Sequence, residues 1–435
     1  MYEFGASPFK DEKGLSKNIF EIVYQDLQKL KENDIEEGFN TEYKSVLDNK
    51  VKEKIPNIIS ALANGNGGWL FIGIENKTKI LKDIPKADYE QTISNILKEL
   101  VDPIPKFEVR FLEKPSNNNI GILVIWVPEG ENTPYISRGK IYRRTGSDTS
   151  PIEEIKDRYS LDKLYEKSEK QKQKIKDFCK KDICIEPYSV PLKKLGFCSI
   201  YIIPEYDLML HKSHLLDLGD YISNRCEQKF HYENNIKGID SNLIFPFFSY
   251  SYKSIVLRNS KILDDYNSTI GWHQFFDGSA KFHSPLSYIN NNALANILAD
   301  CPNYEKYEVF NNFMFIDGYN FFSFVVCAIG QYYTIMKELS KEFAKAYIIL
   351  KLENVQNNVL TFQNNTFREN LISKGLRFSD QDICTIENNY NSQENILNII
   401  NYFIVWICLL FGYNIEEADK LFDNFHKNQS DFNVL

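Results

Sequence analysis

Asn64-Gly65-Asn66-Gly67-Gly68-Trp69-Leu70-Phe71-Ile72-Gly73-Ile74-Glu75 decides how the first third of this 435-residue chain is built. Asn64 and Gly65 end a helix, and Gly67-Gly68 turn the chain tightly. Trp69 to Ile74 is apolar throughout, as a strand buried on both faces must be. Upstream, Lys50 to Leu62 reads as a helix with Ile55, Ile58, Ile59 and Leu62 on one face; Pro56 predicts a start or a kink there. Further upstream, Ser16 is placed to cap a helix carrying Ile19, Ile22, Val23, Leu27 and Leu30. Downstream, Tyr89 to Leu100 reads as a helix, and Phe107 to Phe111 and Ile120 to Val127 read as strands. Pro134-Tyr135-Ile136 and Lys140-Ile141-Tyr142-Arg143-Arg144 read as short strands around a turn at Gly139. This alternation predicts an α/β domain, a mixed sheet with flanking helices.

Before the buried strand stands Glu37-Gly38-Phe39-Asn40-Thr41-Glu42-Tyr43-Lys44. Glu37 and Glu42 are five positions apart, roughly 140° around a helix and on opposite faces of a strand. They converge only if the chain bends at Gly38 and Asn40. From Thr41 the segment reads as a strand, with Glu42 and Lys44 on one face. Two carboxylates, a lysine and a third acid, Glu75, at a strand end are the parts of a divalent-metal site for phosphodiester cleavage. A solvated strand edge with a surface ion pair fits the same residues.

Composition narrows the chemistry. Apolar residues make up 43% of the chain and aromatics 14%, enough for packed interiors, and the length predicts two domains. The formal charge of −8 gives no general field for nucleic acid, so such a partner must meet a local basic patch. Arg138, Lys140, Tyr142, Arg143 and Arg144 form that candidate: guanidinium groups suit phosphate and tyrosine stacks a base. A charged edge strand that blocks aggregation has the same composition. All six histidines lie at or beyond His211, which excludes histidine-based catalysis from the first 200 residues. All eight cysteines lie at or beyond Cys179 with no CxxC pair, which predicts buried thiols in a reducing cytoplasm and no zinc ribbon. Met1-Tyr2-Glu3-Phe4 does not open a signal peptide. No Gly-Lys-Ser/Thr follows the glycine run, so it is not a P-loop.

The remaining chain reads as a charged helical connector over 153–182 and a second, α+β domain over 183–435, after a first domain over 1–152. Phe197 to Ile203 reads as a strand, Phe275 to Ala280 as a hairpin with an Asp-Gly turn, Phe321 to Phe343 as a long helix and Ala346 to Leu352 as a strand. Ile396 to Tyr413, interrupted by Asn398 and Asn401, reads as a buried helix and not a membrane span. His211-x-x-His214 has ligand spacing but no third ligand in view.

The first 150 residues resemble the Schlafen AlbA-type domain. That family's pattern is an early Glu, then Glu-Phe-Lys, a helix, Ala-Phe-Ala-Asn-x-x-Gly-Gly, an apolar strand ending Gly-Val-Asp, and a late Tyr-x-Arg-x-Gly-Ser. Here stand Glu37, Glu42-Tyr43-Lys44, Ala61-Leu62-Ala63-Asn64-Gly65-Asn66-Gly67-Gly68, Phe71-Ile72-Gly73-Ile74-Glu75 and Tyr142-Arg143-Arg144-Thr145-Gly146-Ser147. Nuclease members cut tRNA or other structured RNA with three acids and a divalent metal. The resemblance therefore implies Glu37, Glu42 and Glu75 as ligands of Mg²⁺ or Mn²⁺, with Lys44 beside them. Glu75-Asn76 departs from the family's Asp, often followed by another Asp, and glutamate is one methylene longer.

The expectation is a cytoplasmic, metal-dependent ribonuclease acting on tRNA or other structured RNA in bacterial antiphage defence. Its second domain would sense a phage-derived trigger, regulate or oligomerise. A non-catalytic nucleic-acid-binding regulator and an assembly scaffold are the alternatives. Only one copy of the motif set is present, so a homodimer is expected to double the RNA surface. Tyr402 to Leu410 is expected to be core.

Overall fold

The turn at Gly67-Gly68 is tight because other stretches of backbone run against it in the computed structural model of the chain. A Cβ on Gly67 (φ +74°) would lie 2.7 Å from Val127 O and Glu129 N, and one on Gly68 would lie 2.4 Å from Asn40 O. Trp69 N donates to that same Asn40 carbonyl at 2.8 Å. The glycines thus serve backbone approach, and their cradle is filled by the protein's own chain.

Two compact units are present, Tyr2–Lys180 and Lys181–Leu435. Residues 1–6, 13, 15, 147–150, 181–194, 206–207, 209, 211–216, 229, 235–236, 242, 261–268, 290–311, 341–342, 344, 363–364, 392–394 and 430–435 are outside the described residues, and with them His211 and His214.

The N-terminal unit runs α1 (Gln28–Glu32), β1 (Thr41–Lys44), α2 (Asn49–Asn64), β2 (Gly68–Ile72), β3 (Ile84–Pro85), α3 (Tyr89–Leu100), β4 (Val101–Asp102), β5 (Glu108–Lys114), β6 (Asn117–Val127), β7 (Ile136–Ser137), β8 (Lys140–Arg144), β9 (Ile152–Glu154) and α4 (Arg158–Phe178). β1 pairs parallel with β2, β2 antiparallel with β6, and β5 and β3 also pair with β6. β4, β7, β8 and β9 make a smaller sheet. α2 and α3 bury Ile55, Ile59, Leu62, Ile93 and Leu97 against Leu70, Ile72, Leu123 and Ile125. The opposite face is aromatic: Tyr43 stacks on Phe71 at 5.6 Å, and Phe9 meets Trp69 and Phe71 edge-on at 6.5 and 5.9 Å. β2 is therefore buried on both faces, as its apolar run predicts.

Two local expectations change. α2 starts well before Pro56: Asp48 caps it by accepting from Val51 N at 2.8 Å. The helix expected from Ser16 is absent until a 3₁₀ turn at Tyr24–Leu27. Arg110 Nη1 donates to the carbonyls of Ile19 (2.7 Å) and Ile22 (3.2 Å), so a distant strand takes acceptors that a helix would have used. Ile19, Ile22, Leu27 and Leu30 are still buried. The charged helix α4 belongs to the N-terminal unit, where Thr133 Oγ1 donates to Leu164 O and Lys167 to the carbonyls of Asn64 and Gly65 at the end of α2.

The C-terminal unit comprises β10 (Phe197–Pro204), α5 (Leu218–Glu227), β11 (Phe230–Asn234), β12 (Lys237–Ser241), β13 (Phe247–Ser251), β14 (Ser254–Arg258), β15 (Gly271–Phe275), β16 (Ala280–Pro285), β17 (Met314–Asp317), α6 (Gly318–Leu339), β18 (Lys345–Glu353), β19 (Asn358–Thr361), α7 (Asn365–Lys374), β20 (Ile383–Asn391), α8 (Ile396–Leu410) and α9 (Ile415–Gln429). Its seven-stranded sheet has the order β13-β14-β15-β16-β10-β18-β20, antiparallel throughout. Ile200, Ile202, Trp272, Phe282 and Leu350 join one hydrophobic core with α6 and α8. The protein is α/β in its first unit and α+β in its second. On α8, Phe403, Ile404, Ile407 and Cys408 are core, while Tyr402 and Trp406 reach the surface. Among the described residues no helix is long and apolar enough to cross a membrane.

Glu417 anchors α9 by ion pairs with Arg377 (2.8 Å) and Lys374, which hold its carboxyl down at about 2. A depressed carboxyl stabilises the fold above its ordinary value and loses that contribution as pH falls toward its folded one. Glu417→Gln should therefore flatten the acid limb of stability between about pH 4.5 and 2, read by urea unfolding at stepped pH. Gly68→Ala should cost about 3 kcal/mol or more in the N-terminal unit, read from the fluorescence of Trp69 and Trp126; a loss below about 1 kcal/mol would contradict the close approach of Asn40.

Candidate functional site

β1 is an edge strand, and its alternation divides its residues. Tyr43 joins the aromatic face, whereas Glu42 and Lys44 share the other, in register with Leu70 and Ile72. Glu42 is buried to 2% exposure. Lys44 Nζ bonds Glu42 Oε1, and Arg144 Nη1, from β8, bonds Glu42 Oε2. Both carboxylate oxygens are thus held by cations. Arg144 also donates from Nε to Gly38 O at 2.9 Å and from Nη2 to Gly38 O and to Thr41 O, the last at 2.8 Å. Its side chain is 1% exposed.

Glu37 reaches the same place because the chain bends, with Gly38 N donating to Thr41 O at 3.1 Å. Glu37 Oε1 accepts from Tyr43 N at 2.8 Å and lies 3.9 Å from Lys44 Nζ. Burial, and then the charge of Glu42, raise the Glu37 pKa above the ordinary carboxylate value. Glu37 and Glu42 therefore converge on Lys44.

Glu75 is differently engaged. It opens a turn closed by Lys79 at φ +54°, and its Oε2 accepts from Thr78 Oγ1. The neighbour, Asn76, enters the cluster instead: its Nδ2 donates to Glu37 Oε2, while Lys79 bonds Asn76 Oδ1 at 3.2 Å and lies 4.1 Å over the Tyr43 ring. Among the described residues, no three His, Cys, Asp or Glu side chains are grouped to hold a metal ion. Carboxylate oxygens suit Mg²⁺ or Mn²⁺, but as placed Glu42 is neutralised twice and Glu75 belongs to its own turn. The residues do not fit a three-acid metal centre in this arrangement.

Of the basic cluster, Arg144 is a buried clamp and not a phosphate contact, which corrects the expectation for that residue. A strand face shared with Lys140 and Tyr142 carries it inward, where Glu42 compensates it. Arg138 is exposed at the β7–β8 turn, at φ +50°. Lys140 pairs with Glu154 at 2.9 Å. Arg143 pairs with Glu153 at 3.0 Å and donates to Ser160 Oγ at 2.9 Å. Tyr142 is half-buried. Asn64, the last residue of α2, also stitches the site together, a role its place in the sequence does not show. Its Nδ2 donates to Tyr135 O and Tyr142 O, both at 2.9 Å, and its Oδ1 accepts from Tyr135 N at 2.8 Å.

Residues 37–153 match the family model Schlafen, AlbA_2. The match begins at Glu37 and ends within β9, so it contains Glu37, Glu42, Lys44, Asn76 and Arg144. It implies a nucleic-acid-related function for the Schlafen AlbA_2 region. No curated protein matches the chain. Among solved structures, the DIP2311 protein from Corynebacterium diphtheriae is matched at 17% identity and a TM-score of 0.21, over 27% of this chain and 25% of that one.

Arg144→Met should destabilise the N-terminal unit by about 3–5 kcal/mol, because it strips a buried carboxylate of a partner. The double variant Arg144→Met, Glu42→Gln should recover part of the loss; strict additivity in thermal melts would show that the pair is uncoupled. Glu37, with its raised pKa, acts in the opposite sense to Glu417: the folded state gives up its proton reluctantly, so stability falls as pH rises through the interval above the ordinary carboxylate value. Relative stability should therefore move in favour of Glu37→Gln as pH rises from 4 to 7; a parallel course for the two proteins would show that Glu37 titrates normally.

Proposed function

We propose that the Schlafen AlbA_2 region binds RNA, tRNA foremost, as a non-catalytic nucleic-acid-binding domain. The observation that carries this reading is the double neutralisation of Glu42 by Lys44 and Arg144. It removes negative charge that would repel phosphate and ties the Glu37–Glu42 loop to β8. Arg138 and Lys140 at the β7–β8 turn, and Arg143 on the opposite face of β8, are the candidate backbone contacts, the latter two by exchanging Glu154 and Glu153 for phosphate. Each phosphate contact adds roughly 0.7–0.9 to the salt slope of binding.

A second reading, a metal-dependent endoribonuclease serving antiphage defence, is favoured by the meeting of Glu37 and Glu42 at one lysine. Two close carboxylates, one with a raised pKa, are an arrangement that added positive charge stabilises. In that reading a divalent ion would draw on Glu37 and Glu42, and the C-terminal unit would answer a phage-derived trigger. In either reading a homodimer doubles the RNA surface, and light scattering over a concentration series measures it.

Pure protein incubated with total tRNA and Mg²⁺ or Mn²⁺, with EDTA as control, separates the two. A gel shift that survives EDTA without cleavage is expected. Cleavage abolished by EDTA and by Glu42→Gln, with folding intact, would establish the nuclease; neither shift nor cleavage would overturn both readings. Arg143→Ala should weaken binding about equally across RNA sequences and reduce the salt slope by roughly 1.

A further inference from the structure

The tip of the Glu37–Thr41 loop is an aromatic ring left outside the protein. Phe39 is 63% exposed, more than any other described phenylalanine. Single apolar residues on a surface are ordinary. Phe39 differs in how firmly its neighbours are held. On one side, Gly38 donates to Thr41 O at 3.1 Å and its carbonyl accepts from Arg144 Nε at 2.9 Å. On the other, Asn40 O accepts from Trp69 N at 2.8 Å. Glu37, two residues back, is fixed by Tyr43 N and Asn76. The ring leans on the backbone of Gly146, where a Cβ would come within 2.7 Å of Phe39 Cε2. Gly146 lies two residues beyond Arg144 and three beyond Arg143, so the exposed ring stands beside the basic strand.

A ring fixed at its base and open above it is already ordered, so stacking upon it costs little conformational entropy. The ligand that matches a flat apolar face at the end of a strand bearing exposed cations is a nucleobase on a phosphate backbone. A paired base in the interior of a duplex has both faces covered by its neighbours in the stack, so away from duplex ends the base must be unpaired. We propose that Phe39 is a stacking platform for an unpaired RNA base, at the Arg144 end of β8. This rests on the RNA-binding reading above and adds to it a preference for single-stranded or looped RNA.

The test compares the full chain, Phe39→Ala, Phe39→Trp and, as an exposed aromatic elsewhere in the unit, Phe20→Ala. The probes are a single-stranded 12-mer RNA carrying one 2-aminopurine and the corresponding 12-base-pair duplex. Phe39→Ala is expected to weaken single-strand binding about tenfold and to reduce 2-aminopurine quenching. Phe39→Trp should retain both, Phe20→Ala should change neither, and duplex binding should be equal in all four proteins. Because Phe39 is exposed, melting temperatures should agree. Unchanged single-strand binding by Phe39→Ala, or an equal loss on single strand and duplex, would overturn the platform while leaving RNA binding in place. A wild-type chain that shifts total tRNA but binds neither probe would overturn the platform alone; one that binds none of the three would overturn the RNA reading and the platform with it.

Discussion

The N-terminal unit depends on one guanidinium. Arg144 is almost completely buried, and an arginine is tolerated there only because each of its nitrogens has an acceptor: Glu42, Gly38 O and Thr41 O. Those acceptors are the two ends of the bend that brings Glu37 beside Glu42. The ion pair is thus also a fastener between the larger sheet, through β1, and the smaller sheet, through β8. Burying a charge pair yields little net stability, because desolvation offsets the attraction. What it supplies is a fixed loop, since any other conformation strands a charge away from water.

Asn64 makes the second fastening. At the end of α2 its amide meets the backbone of Tyr135 and Tyr142, and Lys167 of α4 takes the carbonyls that the helix leaves unpaired. Helix end, glycine turn and smaller sheet are therefore built around one another. Gly67 and Gly68 complete the arrangement by letting Val127, Glu129 and Asn40 approach closer than any side chain allows. Packing by itself accounts for the two glycines of this stretch.

The C-terminal unit follows another logic. Its sheet has one apolar face, against α6 and α8, and a polar but buried one. There Ser199 Oγ meets His283 Nδ1 at 2.9 Å and Ser254 Oγ meets His273 Nε2 at 2.6 Å, with Lys281 beside them. Burial and the charge of Lys281 hold the His273 pKa down at about 4, so that ring is neutral near pH 7. A hydroxyl partner for the uncharged His273 imidazole is what a buried polar face requires.

The sequence by itself determined the elements whose signal is local. The apolar run from Trp69 gives a doubly buried strand, which ends at Ile72, α2 shows its apolar residues at helical spacing, and Asp277-Gly278 turns the β15–β16 hairpin. It also placed Glu42 and Lys44 on one strand face, because alternation needs no distant partner. Tertiary structure decided the rest. The segment from Ser16 has helical periodicity, yet Arg110 captures its carbonyls from 91 and 88 residues away. Asn76, rather than Glu75, reaches Glu37, because Glu75 is engaged in the turn that Lys79 closes. Arg144 reads in sequence as an exposed cation. Only Glu42, 102 residues distant, makes its burial tolerable. A charge's environment is a sum over neighbours that folding assembles, so sequence shows which residues carry charge and tertiary structure decides which of them face water.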